Sequence, residues 1–407
     1  MSVLAMILAG GKGERLHPLT IHRAKPAVPF AGIYRVIDFA LSNCINSGIR
    51  KIAVLPQYKS FSLDRHLRLA WDLFSSDLNE YIISVPPQQR VGTQWYQGTA
   101  DAIFQNIYMI GRDAPDQLLV LAGDHIYKMN YSEMIEFHQA HQADATVAAI
   151  EIARHDAASF GVIEADHRGR VVGFEEKPVE PKAVPGDPET AFASMGIYVF
   201  NTKTLLEYLR SDALQATAHD FGRNIIPQMI KTAAVYAYNF KDENRKKAKY
   251  WRDVGTIDAY WEANMDVVSV DPQLNLYDRL WPIRTYQAQN PPAKFVFAQE
   301  QAGGRLGIAL DSVVSPGCII SGGRVQNSVL SPKVHVNSYS EVRDSILMDN
   351  VEIGRHCRIR KAIIEEEVVV PPRTAVGYNL EEDRQHYHVT PSGIVVIPQG
   401  TKLPEPP

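Results

Sequence analysis

Val3 to Leu8 is an unbroken apolar run that stops just short of a glycine pair. A strand buried on both faces reads this way. Ile52 to Leu55 and Gln117 to Ala122 repeat the pattern, and Thr146 to Ile152 predicts a further strand. Between them the period changes. Ile103, Phe104, Ile107 and Tyr108 recur at helical spacing. Asn130 followed by Glu133 resembles a helix start, with Met134, Ile135 and His138 on one face. Strand, helix and strand in series require crossover connections, which predicts an α/β domain with a mostly parallel, Rossmann-like sheet covered on both faces. Ligands of such sheets bind beyond the carboxyl ends of the strands, where Gly10 and Gly11 lie.

The rhythm changes again after about Asp266, and Asn290-Pro291-Pro292 reads as a linker. From Val351 the chain divides into sixes: VEIGRH, CRIRKA, IIEEEV, VVPPRT and AVGYNL. Each begins with an aliphatic or small residue: Val351, Cys357, Ile363, Val369 and Ala375. A looser version runs through SVVSPG, CIISGG, VHVNSY and SEVRDS. Such a repeat predicts a parallel β-helix with one inward knob per face. The expected organisation is a catalytic domain over 1–285, a linker over 286–300 and a hexapeptide-repeat domain over 301–407.

Composition narrows the partners. There are 42 Lys+Arg against 46 Asp+Glu, a formal net charge of -4, which argues against nucleic acid or an anionic membrane as the main partner. The basic cluster of Arg245, Lys246, Lys247 and Lys249 reads as a solvated loop. The cysteines, Cys44, Cys318 and Cys357, form no C-x-x-C pair, which fits a reducing compartment. No apolar run reaches the roughly 18 residues of a spanning helix, so a cytoplasmic protein is expected.

The candidate chemistry begins at Leu8-Ala9-Gly10-Gly11-Lys12-Gly13-Glu14-Arg15-Leu16. Glycines after a buried strand let backbone N–H groups approach a phosphate, although a tight turn explains them equally well. Arg15 and Lys25 add two cations able to offset a polyphosphate and a departing pyrophosphate. Asp124 follows a strand and a glycine, and Asp253 lies between Arg252 and Gly255. Hard carboxylate oxygens suit Mg²⁺, but a helix cap and a turn residue are the alternative readings. The thirteen histidines form no H-E-x-x-H pattern, and no G-x-S-x-G is present, so zinc protease and serine hydrolase chemistry are without support.

L-A-G-G-x-G-x-R-L followed by Lys25-Pro26 resembles the signature of nucleoside-diphosphate-sugar pyrophosphorylases. Longer blocks resemble the bacterial glucose-1-phosphate adenylyltransferases, or ADP-glucose pyrophosphorylases. They are Arg23 to Val28, Leu41 to Gly48, Trp95 to Ala102, Ala122 to Tyr127, Ser194 to Phe200 and Tyr250 to Thr256. The resemblance implies a C-terminal left-handed β-helix, a homotetramer and a place in glycogen synthesis. It implies that ATP and glucose 1-phosphate give ADP-glucose and pyrophosphate, with Mg²⁺ held by Asp124 and Asp253. Arg15, Lys25, Asp124, Lys177 and Asp253 are the expected catalytic set. Lys177 of Phe174-Glu175-Glu176-Lys177-Pro178 is implied to bind the sugar phosphate and Glu176 the sugar hydroxyls. Gly161 and Ser194 match other substrate-contacting positions. Gly10, Gly11, Gln88, Tyr96 and Gly98 fall in the nucleotide-contacting regions, although Tyr96 alone reads as core.

The reactants set the expected mechanism: a sugar phosphate is already an anionic nucleophile, so alignment and charge neutralisation suffice without a general base or a covalent intermediate. A sister enzyme using another triphosphate, a non-catalytic regulatory subunit, and a bifunctional enzyme with an acyltransferase β-helix are the alternatives. Arg23, Arg35 and Arg112 match the family's anion-binding effector positions, with His22 beside them, or else these arginines pair with carboxylates. Enteric members, activated by fructose 1,6-bisphosphate and inhibited by AMP, carry lysine where this chain has His22. They also end in a basic tail, whereas this chain ends Pro404-Glu405-Pro406-Pro407. A histidine loses its charge near neutral pH where lysine keeps it. The expectation is therefore a weak bisphosphate response at pH 8, and a better one to fructose 6-phosphate or pyruvate.

Overall fold

The structure, a computed structural model, describes residues 2–88, 94–184, 186–244, 246, 248–299, 301 and 303–404. Arg245 and Lys247 of the basic cluster, and the last three residues of the tail, lie outside the described residues. The chain folds as two compact units, and neither is one continuous segment. The first comprises Met1–Gly11, Phe39–Gly123 and Lys128–Arg245; the second comprises Lys12–Asp38, Asp124–Tyr127 and Lys246–Pro407.

The first unit is built on a nine-stranded sheet. Val3–Ala9 sits at its centre, parallel to Lys51–Pro56 on one side and Gln117–Ala122 on the other. Leu4 to Ile7 have no accessible surface, as an apolar run covered on both faces requires. Tyr81–Ser84 extends the parallel part. The long strand Thr190–Asn201 then runs antiparallel to Gln117–Ala122 and to Ala145–Ala153, so the sheet is mixed beyond the central strands.

The helix Tyr131–Ala140 starts where the sequence places it. Asn130 accepts from the Ser132 amide at 3.1 Å, and Met134, Ile135 and His138 are buried. The apolar spacing at 103–108 produces two helices rather than one, Thr99–Phe104 and Ile107–Asp113. The break has a local cause: Asn106 Nδ2 donates to the Ala102 carbonyl at 2.8 Å, taking for a side chain the acceptor that helix geometry offers to an amide.

In the second unit, three sheets, parallel apart from an antiparallel pair at the edge of one, stack coil upon coil into the β-helix expected of hexapeptide repeats. Its first strand, Lys294–Val296, pairs with Ile319–Ser321 and lies inside the stretch read as linker. The register also corrects the hexads. His335 pairs with Glu352, and Glu352 with Val369, so the coil repeats every seventeen residues, one short of three sixes. A strict division into sixes therefore drifts. Val351, Cys357 and Ile363 are buried knobs, but Val369 is 57% exposed and Ala375 is exposed. Their places inside are taken by Val368 and Thr374, one residue earlier. Serines bind the turns of successive coils together: the Ser345 amide donates to Ser328 Oγ at 3.1 Å, and the Ala362 amide to Ser345 Oγ at 3.1 Å.

Cys44, Cys318 and Cys357 are free and buried. Among the described residues no helix is long and apolar enough to cross a membrane.

His138 offers a test of packing in the first unit. Burial pushes its pKa down to about 4, only partly offset by Asp144, and its Nδ1 lies 2.8 Å from Thr146 Oγ1. Its folded pKa lies below the ordinary 6.5, so the unfolded chain takes up the proton first as pH falls. Stability is complete above about 6.5 and is lost toward about pH 4, by on the order of 3 kcal/mol. His138→Leu loses the Thr146 bond but no longer titrates. In urea unfolding, its deficit relative to the native protein narrows between pH 7 and pH 5. A deficit independent of pH would contradict the assignment.

Candidate active site

In the second unit a short antiparallel pair assembles the acidic centre. His125–Tyr127 pairs with Trp251–Asp253 in the register Tyr127 with Trp251, Ile126 with Arg252 and His125 with Asp253. That register sets Asp253 opposite His125, beside Asp124. Alternation sends Arg252 to the other face, where it pairs with Asp266 at 3.1 Å, and Tyr250 donates to the same carboxylate at 2.9 Å. The strand is thereby tied to the helix Ile257–Asp266, whose first turn is capped by Thr256.

Lys25 enters from the 3-10 turn Lys25–Ala27. Its Nζ donates to Asp124 Oδ2 at 2.8 Å and to Asp253 Oδ1 at 2.9 Å. Burial disfavours its charge, but the two carboxylates outweigh burial and raise its pKa. Asp124 is also disfavoured as an anion by burial, yet Lys25 and then His125 bring its carboxyl down to about 2. Asp124 is thus ionised throughout the neutral range.

His125 was not anticipated from the sequence, although it stands within a quoted block. Its Nε2 lies 3.6 Å from Asp124 Oδ1 and 3.9 Å from Asp253 Oδ1, and its ring packs edge-on against Trp251. Asp124, His125 and Asp253 offer three ligand atoms within 4.8 Å of one another, a donor set that fits a divalent ion. Exposed Arg15 comes close as well. A Cβ on Gly255 would stand 3.0 Å from its Nη2 and 3.1 Å from both Asp253 oxygens, so glycine is what leaves both charged groups room.

A second group of predicted residues meets in the first unit. Gly161 pairs with Glu176 across adjacent antiparallel strands. A Cβ on Gly161 or on Gly222 would come within 2.9 Å of Glu176 Oε2, so the two glycines define the slot holding this carboxylate. Burial, and then Asp220, raise the Glu176 pKa against Lys177 and Arg223. Lys177 adopts a left-handed backbone, φ 54°, and its half-exposed ammonium lies 3.8 Å from Glu176 Oε1. Asp220 and Gly222 were missed by sequence reasoning. Asp220 accepts from the Gly222 and Arg223 amides and from Thr99 Oγ1, holding the turn that shapes the slot. Ser194 is buried on Thr190–Asn201, where the strand register shifts before Tyr198.

Of the remaining nucleotide-side residues, Gly10 packs against Gln57, while among the described residues other than its chain neighbours none lies within 4 Å of a Cβ built on Gly11. Gly98 has a packing reason of its own, since a Cβ there would fall 2.3 Å from the Ala218 and His219 carbonyl oxygens. Gln88 is exposed and donates to Pro86. Tyr96 is 8% exposed, packs within the core and accepts from Asn106 at 2.9 Å through its hydroxyl, which favours the core reading of this residue.

The effector positions also divide. Arg23 is buried, with Nη1 2.9 Å from Glu365 and Nη2 3.3 Å from Glu366, so its charge is committed to carboxylates rather than offered to an anion. Arg35 donates to the Ala27 carbonyl. His22 is exposed, and Arg112 is largely exposed beside Asp113.

Comparison with known proteins agrees with these features. The Nucleotidyl transferase family profile matches residues 4–270, and the GlmU-like C-terminal hexapeptide profile matches 291–397. The chain is 55% identical over 406 residues to the glucose-1-phosphate adenylyltransferase of Rhodopirellula baltica, covering 99% of this chain and 91% of that protein. It is 55% identical over 410 residues to that of Koribacter versatilis, covering 100% and 98%. It is 54% identical over 408 residues to that of Anaeromyxobacter dehalogenans, covering 98% of each.

The chain belongs to the glucose-1-phosphate adenylyltransferase family. It is a nucleotidyltransferase. Within the family's frame, Lys25, Asp124 and Asp253 form one contact cluster, and Glu176 and Lys177 form another.

The Arg23 pairing is open to a direct test. Burial and Glu366 raise Glu365 to about 7 despite Arg23. Removing the guanidinium strands a buried carboxylate, at a cost of roughly 3–5 kcal/mol. Protonation relieves that cost at acidic pH. Arg23→Ala therefore lowers Tm more at pH 8 than at pH 5.5. An equal loss at both values would show that Glu365 does not carry the charge Arg23 neutralises.

Proposed function

We propose that this enzyme converts ATP and glucose 1-phosphate to ADP-glucose and pyrophosphate, and that it uses Mg²⁺. The carrying observation is the convergence of Lys25 with Asp124 and Asp253, a buried ammonium bonded to two partly buried carboxylates. Asp124 and Asp253, with His125 beside them, would hold the ion. When bound, it supplies charge neutralisation and Lewis acidity at a phosphate. The carboxylate oxygens suit hard ions such as Mg²⁺.

The chain's own residues do the rest. Exposed Arg15 offers a fork of donors to phosphate oxygens, and Gly11 leaves its backbone open to close approach. Lys177 supplies charge for the sugar phosphate, and Glu176 accepts from sugar hydroxyls. The attacking phosphate oxygen carries its own negative charge, so no side chain removes a proton. The relatives bear the name of this reaction, which supports the adenylyl and glucosyl assignments. The same reading proposes a cytoplasmic homotetramer in glycogen synthesis. Regulation by a small anion is part of the same proposal, carried over at the family positions of His22, Arg35 and Arg112, while the Arg23 charge is met by Glu365 and Glu366.

The test is to incubate the protein with glucose 1-phosphate, Mg²⁺ and each nucleoside triphosphate in turn and identify the products. ADP-glucose and pyrophosphate form from ATP, and only with a divalent ion. A tenfold preference for UTP or dTTP would sink the adenylyl assignment and leave nucleotidyl transfer standing. Asp124→Asn lowers kcat by roughly 100-fold or more without unfolding the chain. Lys177→Ala instead raises KM for glucose 1-phosphate. Weakened ATP binding with an unchanged sugar-phosphate KM would reverse the placement of the substrates.

A further inference from the structure

Lys25 bonds one oxygen of each carboxylate that would hold a metal. We infer that Lys25 is a built-in competitor for the divalent cation, so that the free enzyme binds metal weakly and takes it up together with a polyphosphate. This rests on the reading that Asp124 and Asp253 are the metal ligands.

Two of the three ammonium protons are already placed, on Asp124 Oδ2 at 2.8 Å and Asp253 Oδ1 at 2.9 Å. The lysine is 7% exposed, so water is a poor alternative partner. An ion held by both aspartates would draw on the same two carboxylates as the ammonium does. Two cations sharing one pair of carboxylates repel strongly in a site of low polarity. Occupation by one therefore weakens occupation by the other.

The backbone around Lys25 is fixed. The Ala27 amide donates to the Ala24 carbonyl at 2.9 Å and the Val28 amide to the Lys25 carbonyl at 3.1 Å. Two residues earlier, Arg23 is anchored by Glu365 and Glu366. The exchange is therefore a rotation of the long side chain over a held Cα. A triphosphate supplies new anionic oxygens for the ammonium, which lets Lys25 leave the carboxylates as the ion arrives. A lysine that merely positioned the aspartates would have the opposite effect, since its loss would weaken metal binding.

The experiment measures Mn²⁺ binding to the full-length protein by electron paramagnetic resonance of the free ion, with no nucleotide present. Lys25→Met and Lys25→Gln bind Mn²⁺ about tenfold or more tightly than the native protein, the gain expected from removing a charged hydrogen-bond partner. Lys25→Arg, which keeps the cation, stays near the native affinity, and Asp124→Asn falls below it. Equal or weaker binding by both neutral variants overturns the proposal. So does tighter binding by Lys25→Arg, which would trace the effect to disturbed packing rather than charge. Native affinity in Asp124→Asn overturns the metal-site reading itself, whichever way the lysine variants fall.

Discussion

A buried ammonium shared by two carboxylates organises the second unit. Lys25 is separated from Asp124 by 99 positions and from Asp253 by 228, so its contacts draw three distant segments to one point. Each segment is fixed for its own reason. A 3-10 turn holds Lys25, strand pairing places Asp253 opposite His125, and the Arg252–Asp266 ion pair ties that strand to a helix. Loss of the carboxylates would be costly, because the buried Lys25 ammonium has little water to fall back on. The shared ammonium holds the two aspartates close together, the condition under which they can serve a metal.

The β-helix contributes through the same segment. Arg23 lies two residues from Lys25 and is gripped by Glu365 and Glu366 on the hexapeptide repeats. Burial raises Glu365 to about 7, and burial with Glu366 raises Asp349 to about 6. The charge balance on the β-helix side of this segment thus shifts near neutral pH, while Asp124 remains ionised. The two ends of one short peptide respond to different conditions.

Much of the fold was legible because burial leaves a plain trace in sequence. The central strands are apolar without alternation, and the Asn130 cap fixes a helix to the residue. What failed to show was set by side-chain hydrogen bonds or by counting over long stretches. Asn106 splits a helix that apolar spacing draws as continuous. A coil of seventeen residues defeats a count by sixes, so Val369 and Ala375 point outward where Val368 and Thr374 point in. At the site, residue types and motifs named Lys25, Asp124 and Asp253 but could not say that they touch, since nothing in spacing encodes contact across such separations. His125, Asp220 and Gly222 escaped for a related reason: their roles come from what folds beside them. Between the two readings of Arg23 the sequence could not choose, because its carboxylate partners lie 342 and 343 positions away.

The most direct test is a crystal structure of the protein with Mn²⁺ and a non-reactive ATP analogue, the ion located by its anomalous scattering. The account predicts one ion coordinated by an oxygen of Asp124 and an oxygen of Asp253, with Lys25 Nζ withdrawn from at least one of them toward a phosphate. An ion held by phosphates alone, with Lys25 still bonded to both aspartates, would contradict it.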